Sequence, residues 1–193
     1  MRKKASIMFI QTEATPNPAT LKFLPGRDVL PEGAMDFPNA ETASPSPLAA
    51  RLFEVDGVTS IFLGADFITV TKEGGEWQHL KPMLLGAIMD HFTSGAPVLA
   101  PGDAGSMPSE EEDFDAADEE IVVQIKELLD TRVRPAVAQD GGDIVFHGYR
   151  DGIVRLHMRG ACAGCPSATM TLKNGIENLL KHFVPEIEVV EAV

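Results

Sequence analysis

The sequence predicts an α+β chain: two small α/β domains joined by an acidic, flexible linker. Three observations predict it. First, the composition shifts between residues 96 and 117. Pro97, Pro101, Gly102, Gly105 and Pro108 lead into Glu110-Glu111-Glu112-Asp113, and from Asp103 to Glu120 there are nine acidic residues and no Lys or Arg. Proline, glycine and self-repelling charge all oppose compact structure, so a linker is expected there. Second, the apolar periodicity before this stretch reads β-β-α-β-β-α. Third, the periodicity after it reads α-β-β-α-β. The expected boundaries are residues 7–95, 96–117 and 118–193.

In the first domain, residues 7–12 read as a strand. Thr15-Pro16-Asn17-Pro18 forces a turn, because each proline fixes φ and lacks an N–H. Residues 21–24 form a second strand. Pro47 precedes an amphipathic stretch with Leu48, Leu52 and Phe53 on one face. Residues 58–63 and 67–71 are strands around Gly64-Ala65-Asp66. Residues 77–92 form a helix with Leu80, Leu84, Ala87, Ile88 and His91 at helical spacing, and its Met83 and Met89 read as core fillers.

In the second domain, Asp118 is placed to cap a helix that carries Ile121, Ile125, Leu128 and Leu129 on one stripe. That helix is interrupted near Arg134-Pro135. Asp140-Gly141-Gly142-Asp143 reads as a turn. Residues 144–149 and 153–159 are strands, and Arg150-Asp151-Gly152 between them is a hairpin signal. Leu172, Ile176, Leu179, Leu180 and Phe183 mark a second amphipathic helix, which Pro185 stops, and a last strand starts at Ile187. A helix between two strands is a crossover, so a small mixed sheet with helices on one face is expected.

Composition limits the function. The chain has 193 residues, 44% of them hydrophobic, enough for real cores. Asp and Glu number 29 against 16 Lys and Arg, a net charge of −13. Such a surface repels phosphate backbones, so no nucleic-acid partner is expected. No apolar run approaches a membrane span. Met1-Arg2-Lys3-Lys4 is basic but lacks the apolar core of a signal peptide, so the cytoplasm is the expected location.

The chemistry concentrates in one loop. The two cysteines of the chain, Cys162 and Cys165, stand three residues apart in Gly160-Ala161-Cys162-Ala163-Gly164-Cys165-Pro166. Proline suits the first helical position, which puts Cys165 at the N-cap and Cys162 wholly in the loop. A helix N-terminus lowers thiol pKa and favours a bound anion. Gly160 and Gly164 remove side chains near the sulfurs, and Ala161 and Ala163 leave room beside them. An exposed loop of this kind contributes little to the core, so Cys162→Ser is expected to leave the fold intact.

Two thiolates are half of the four or so protein ligands that Zn²⁺ or an iron–sulfur cluster takes. The shortfall is made good if a two-fold axis brings four thiolates together in an isologous dimer. Two other readings stand beside this one. A dithiol–disulfide oxidoreductase would work as a monomer and without iron. A structural Zn²⁺ dimer would be colourless and unfold on chelation. Of His79, His91, His147, His157 and His182, only His147 and His157 lie near enough in the expected hairpin to join the site, and both read as surface residues. No Ser/His/Asp constellation, phosphate loop or recognisable carboxylate pair appears, so an enzyme is not expected.

The sequence resembles the Nfu family of iron–sulfur cluster scaffold proteins. In the C-terminal part the resemblance rests on Arg134-Pro135, Asp140-Gly141-Gly142-Asp143, the cysteine loop through Ser167, Thr169-Met170-Thr171-Leu172 and Gly175-Ile176-Glu177. In the N-terminal part it rests on Thr12-Glu13-Ala14-Thr15-Pro16-Asn17-Pro18 and Leu21-Lys22-Phe23. The resemblance implies a carrier that binds a [4Fe–4S] cluster, sometimes [2Fe–2S], bridging two subunits, with Cys162 and Cys165 matching the cluster ligands. It implies a homodimer when loaded, with apo iron–sulfur proteins as clients and assembly proteins upstream. The short N-terminal segment resembles the bacterial type more than the mitochondrial one. A domain without thiols cannot be a ligand source, so the N-terminal domain is expected to recognise clients or upstream proteins.

Overall fold

Ser46 and Pro47 show how the N-terminal domain is started. Pro47 occupies the first turn of helix α1 (Pro47–Phe53), where its missing N–H costs nothing. The Ser46 hydroxyl accepts from Ala49 N at 3.1 Å as N-cap and donates to the carbonyl of Val98 at 2.6 Å. The computed structural model describes residues 8–31, 33–102, 112–163 and 166–193. The chain divides into two compact units, with Thr15–Pro18 grouped with the C-terminal one, each of them mixed α and β.

The N-terminal unit is a five-stranded antiparallel sheet with two helices. Its strands are β1 (Gln11–Ala14), β2 (Thr20–Leu24), β3 (Met35–Phe37), β4 (Val58–Leu63) and β5 (Ile68–Lys72), in the order β1-β2-β5-β4-β3. Helix α2 (Trp77–Ser94) ends at Gly95, whose φ of 73° is the left-handed stop. Phe23, Leu48, Leu52, Ile61, Ile68, Val70, Leu84 and Ile88 form the core. The expected first strand is displaced: pairing begins only at Gln11, opposite Leu24. Met8 and Ile10 pack on the core from outside the strand. The expected turn after β1 is present, with the Thr15 hydroxyl donating to Asn17 O at 2.8 Å and accepting from Asn17 N at 3.2 Å. β3 was not expected. It holds three residues and is recognisable by its pairing with β4 rather than by any alternation of its own.

The C-terminal unit is a four-stranded mixed sheet, β6-β7-β8-β9. β6 (Asp113–Phe114) runs parallel to β7 (Gly142–Arg150), β8 (Ile153–Gly160) is antiparallel to β7, and β9 (Val189–Ala192) is parallel to β8. Asp151 and Gly152 adopt φ of 50° and 79°, the two left-handed positions of a tight hairpin, as expected. Val154, Leu156 and Met158 of β8 and Ile144 and Phe146 of β7 alternate onto one face. A bulge at residue 147 shifts the phase, so Tyr149 joins the same core. Ile125 of α3 (Glu119–Leu128), Val137 of α4 (Arg134–Gln139) and Ile176 and Leu180 of α5 (Pro166–Phe183) cover that face.

Several local expectations shift. Asp118 occupies the N-cap of α3, but its side chain makes no capping bond. The interruption near Pro135 is a π-helical turn, Leu129–Val133. Pro135 has no N–H for the preceding turn, which widens there. Only Asp140 and Gly141 form the turn after α4, with Gly141 at φ 80°, while Gly142 and Asp143 already pair in β7. The last strand begins at Val189, and Ile187 is buried in the turn before it.

The two ends of the acidic stretch are built into the units. Val98 and Leu99 pack against the N-terminal core, and Ala100 N donates to Pro45 O at 2.7 Å. At the other end Asp113 pairs with Arg150 and Arg155 at 2.8 and 3.1 Å, and Glu112 pairs with Lys126. Residues 103–111 lie outside the described residues. Among the described residues, no helix is long and apolar enough to cross a membrane.

Candidate metal centre

β8 ends at Gly160, which pairs with Gly142 at the start of β7 and turns the chain with φ 64°. Ala161 N then donates to Gly141 O, and Ala163 N to Gly160 O, each at 3.1 Å. Cys162 is held between these two bonds. Its own carbonyl accepts from the Thr169 hydroxyl, on α5, at 3.0 Å. α5 starts at Pro166, as expected, so its positive terminus adjoins the loop. Cys165 and Gly164, including the expected N-cap position of Cys165, lie outside the described residues.

Cys162 differs from its expectation. It carries a free thiol, yet it is 6% exposed and belongs to the hydrophobic core of the unit. Burial, first, and the charges of Asp140 and Asp143, second, push the thiol up to about 12. Loop position suggested exposure and a lowered pKa. The reason for the reversal lies at Gly142. A Cβ placed there would be 2.6 Å from the Cys162 Sγ and 2.8 Å from the carbonyl oxygen of Arg159. The missing side chain opens a niche in β7, and the sulfur fills it. The expectation that Cys162→Ser is structurally silent is corrected accordingly, because a hydroxyl there would enter a hydrophobic cluster.

Asp143 is itself clamped. Arg134 Nε and Nη2 donate to its two carboxylate oxygens at 2.8 and 3.0 Å, and Arg134 Nη1 reaches Asp130 at 3.1 Å. Hydrogen bonding to Asp143 holds the guanidinium above its ordinary value. The clamp ties the first residue of α4 to the second residue of β7, immediately beside the niche. Arg134, Asp143, Gly142 and Thr169 all belong to motifs visible in the sequence, but their roles emerge only from their contacts.

The five histidines lie on α2, β7, β8 and α5. His157 stands opposite Val145, and His147 is the bulged residue without a place in the ladder register. His79 and His182 are exposed on helices, and His91 is buried in the other unit. Among the described residues, no group of three or more His, Cys, Asp or Glu is placed to hold a metal ion. A groove of about 290 Å³ begins beside Asp140 and runs between α4 and α5 over Val133, Val137, Leu172 and Ile176. Its charged lining residues are Arg132 and Asp140.

The unit that carries the thiol loop is a NifU-like domain: residues 125–191 match the model of that family. Residues 10–95 match the N-terminal domain of the Nfu/NifU scaffold proteins. The chain is 52% identical over 192 residues to the human protein named NFU1 iron-sulfur cluster scaffold homolog, mitochondrial, covering 96% of this chain and 72% of that one. It is 56% identical over 188 residues to the protein of the same name from Drosophila sechellia, covering 96% of this chain and 65% of the relative. This chain therefore spans just under two thirds of the length of the fly relative. A NifU-like protein from Saccharomyces cerevisiae, solved in solution, is 26% identical and covers 52% of this chain and 92% of that one, with a TM-score of 0.46. The chain belongs to the Nfu family of iron–sulfur cluster scaffold proteins.

Proposed function

We propose that this protein is a scaffold and carrier, not an enzyme. It binds a [4Fe–4S] cluster between two copies of the chain, through Cys162 and Cys165 of each, and passes it to apo-proteins. The observation that carries the reading is the ligand count. The chain has two thiols, both in one loop, and among the described residues no group of three or more His, Cys, Asp or Glu is placed to hold a metal ion. A second copy supplies the missing pair without any new residue type.

The chemistry of the loop supports a carrier. The Cys162 thiol is protonated in the described state, so ligation displaces its proton and binding is favoured as pH rises. A cluster held by two thiolates from each chain is open to exchange one sulfur at a time with an incoming client thiolate. The N-terminal domain, which contains no cysteine, would recognise clients or upstream assembly proteins. The tether between the domains would raise the local concentration of cluster near a held client. We place the carrier in the cytoplasm, or in the mitochondrial matrix if its source is eukaryotic; the names of its fly and human relatives call those proteins mitochondrial.

The test is iron and acid-labile sulfide per chain, with solution mass, after anaerobic reconstitution. About two iron and two sulfide per chain in a dimer is the expected result, and about one of each would mean [2Fe–2S]. No iron, with a monomer whose cysteines cycle between dithiol and disulfide, would make the protein an oxidoreductase. A colourless dimer holding Zn²⁺ would make the site structural.

A further inference from the structure

The position of Cys162 poses a problem for any ligating role. Its sulfur lies in the niche over Gly142, close against the backbone of β7 and near the Arg159 carbonyl. A cluster cannot reach a sulfur enclosed by core atoms, so the loop must turn Cys162 outward before it can ligate. Three hydrogen bonds at Cys162 and its flanks oppose that movement, and beyond them the Asn17 side-chain amide, grouped with the same compact unit, donates to the carbonyl of Ala163 at 3.5 Å. Two are backbone bonds, from Ala161 N to Gly141 O and from Ala163 N to Gly160 O. They flank Cys162, and neither ties it to the helix that follows. The third is the Thr169 hydroxyl bond to the Cys162 carbonyl, which spans seven residues and fixes the loop to the first turn of α5.

We propose that Thr169 is a positioning residue: its hydroxyl is the clasp that holds Cys162 in the sheltered position and is released when Cys162 turns out to ligate. Of the three bonds it is the one made by a side chain, so it can be removed without altering the backbone. It also joins Cys162 itself to a rigid element, whereas the Asn17 bond falls on Ala163, so its loss is the one that releases Cys162 from α5. The inference rests on the reading of Cys162 as a ligand for its purpose, but the clasp itself is tested without iron.

The experiment uses the full chain with Cys165→Ser, in which Cys162 is the one remaining thiol. Its rate of alkylation by iodoacetamide under native conditions reports how often the loop opens. Thr169→Val keeps the shape and removes the hydroxyl. The net contribution of one ordinary hydrogen bond corresponds to an acceleration of about fivefold. Thr169→Ser restores the donor and is expected to return the rate to that of the parent. Labelling through local opening should hardly change in low urea, whereas labelling through global unfolding climbs steeply with it. Thr169→Ala, which also lacks the hydroxyl and cannot overfill the site, takes the place of the valine variant if that chain loses its cooperative melting.

An unchanged rate in the hydroxyl-free variant overturns the proposal. So does a serine variant as fast as the valine one, or an acceleration that simply follows lost global stability. Reconstitution of the unaltered chain reads the carrier function separately. If that chain takes up no iron, the labelling result still decides the clasp, and an unchanged labelling rate removes the clasp while leaving the carrier reading in place.

Discussion

Cys162 lies where it does because residue 142 has no side chain: a Cβ on Gly142 would sit 2.6 Å from the Cys162 sulfur. The two residues are twenty apart in sequence and meet because Gly142 pairs with Gly160 across the β7–β8 hairpin. Gly142 does not have a left-handed backbone, so alanine is opposed there by packing and not by φ. The Arg159 carbonyl, at 2.8 Å, is backbone and cannot swing aside. Gly142→Ala is therefore expected to expel the sulfur and lower the urea midpoint, at a cost of about 1–3 kcal/mol. Unfolding curves with parallel labelling of Cys162 check this, and a variant with wild-type stability and a slow-labelling thiol contradicts it.

The same contact gives a pH signature. The folded thiol is raised from about 9 to about 12, so the unfolded chain loses its proton first as pH rises. The sheltered thiol's contribution to stability is thus complete below about pH 9 and is lost between about 9 and 12, at roughly 1.4 kcal/mol per pH unit at most. Cys162→Ala keeps an apolar group in the niche and is expected to remove this alkaline slope while still folding. It should bind no cluster, which separates the ligating role of the residue from its packing.

Arg134 and Asp143 act as a unit. Asp143 is buried, and its two oxygens are taken by the guanidinium. Arg134→Met strands a buried carboxylate and is expected to cost about 2–3 kcal/mol, below the full buried-pair value because Arg134 is partly exposed. Asp143→Asn should cost less, since an amide can still accept. The double variant should fall well short of the sum of the two. Additive losses in a double-mutant cycle would show that the two side chains do not cooperate.

His91 makes a prediction for the N-terminal unit. It is buried, its Nε2 has no hydrogen-bond partner among the described residues, and its pKa is lowered, by burial first and then by Arg51 and Arg27, against backbone hydrogen bonds at Pro97 and Ala96. With the folded value below the ordinary 6.5, the unfolded chain takes up the proton first. Stability of this unit is therefore expected to be flat above about pH 6.5 and to fall as pH drops below it. His91→Phe should flatten the slope in urea titrations at pH 5 to 7. A slope that survives the substitution assigns the effect to other groups.

These contacts show how far the sequence could be read. The Trp77 helix, the α5 helix and the Asp151-Gly152 hairpin were legible because each carries its signal within one turn or one period. β3 and β6 were not, since three and two residues are too few to alternate and exist as strands through their partners. The cysteine loop stood out by its spacing as a candidate ligand pair, beside a dithiol–disulfide reading. The burial of Cys162 was not, because it depends on an absent side chain twenty residues earlier. Likewise Arg134 and Asp143 stand on either side of a helix end, and nothing in their spacing announces a clamp.

The niche over Gly142 also bears on how long an empty molecule lasts. Oxidants attack the thiolate, and they attack it where solvent brings them. In the described position Cys162 is protonated and shielded from peroxide, far from the sulfenic acid that begins irreversible damage. The packing that shelters this sulfur thus keeps it chemically intact.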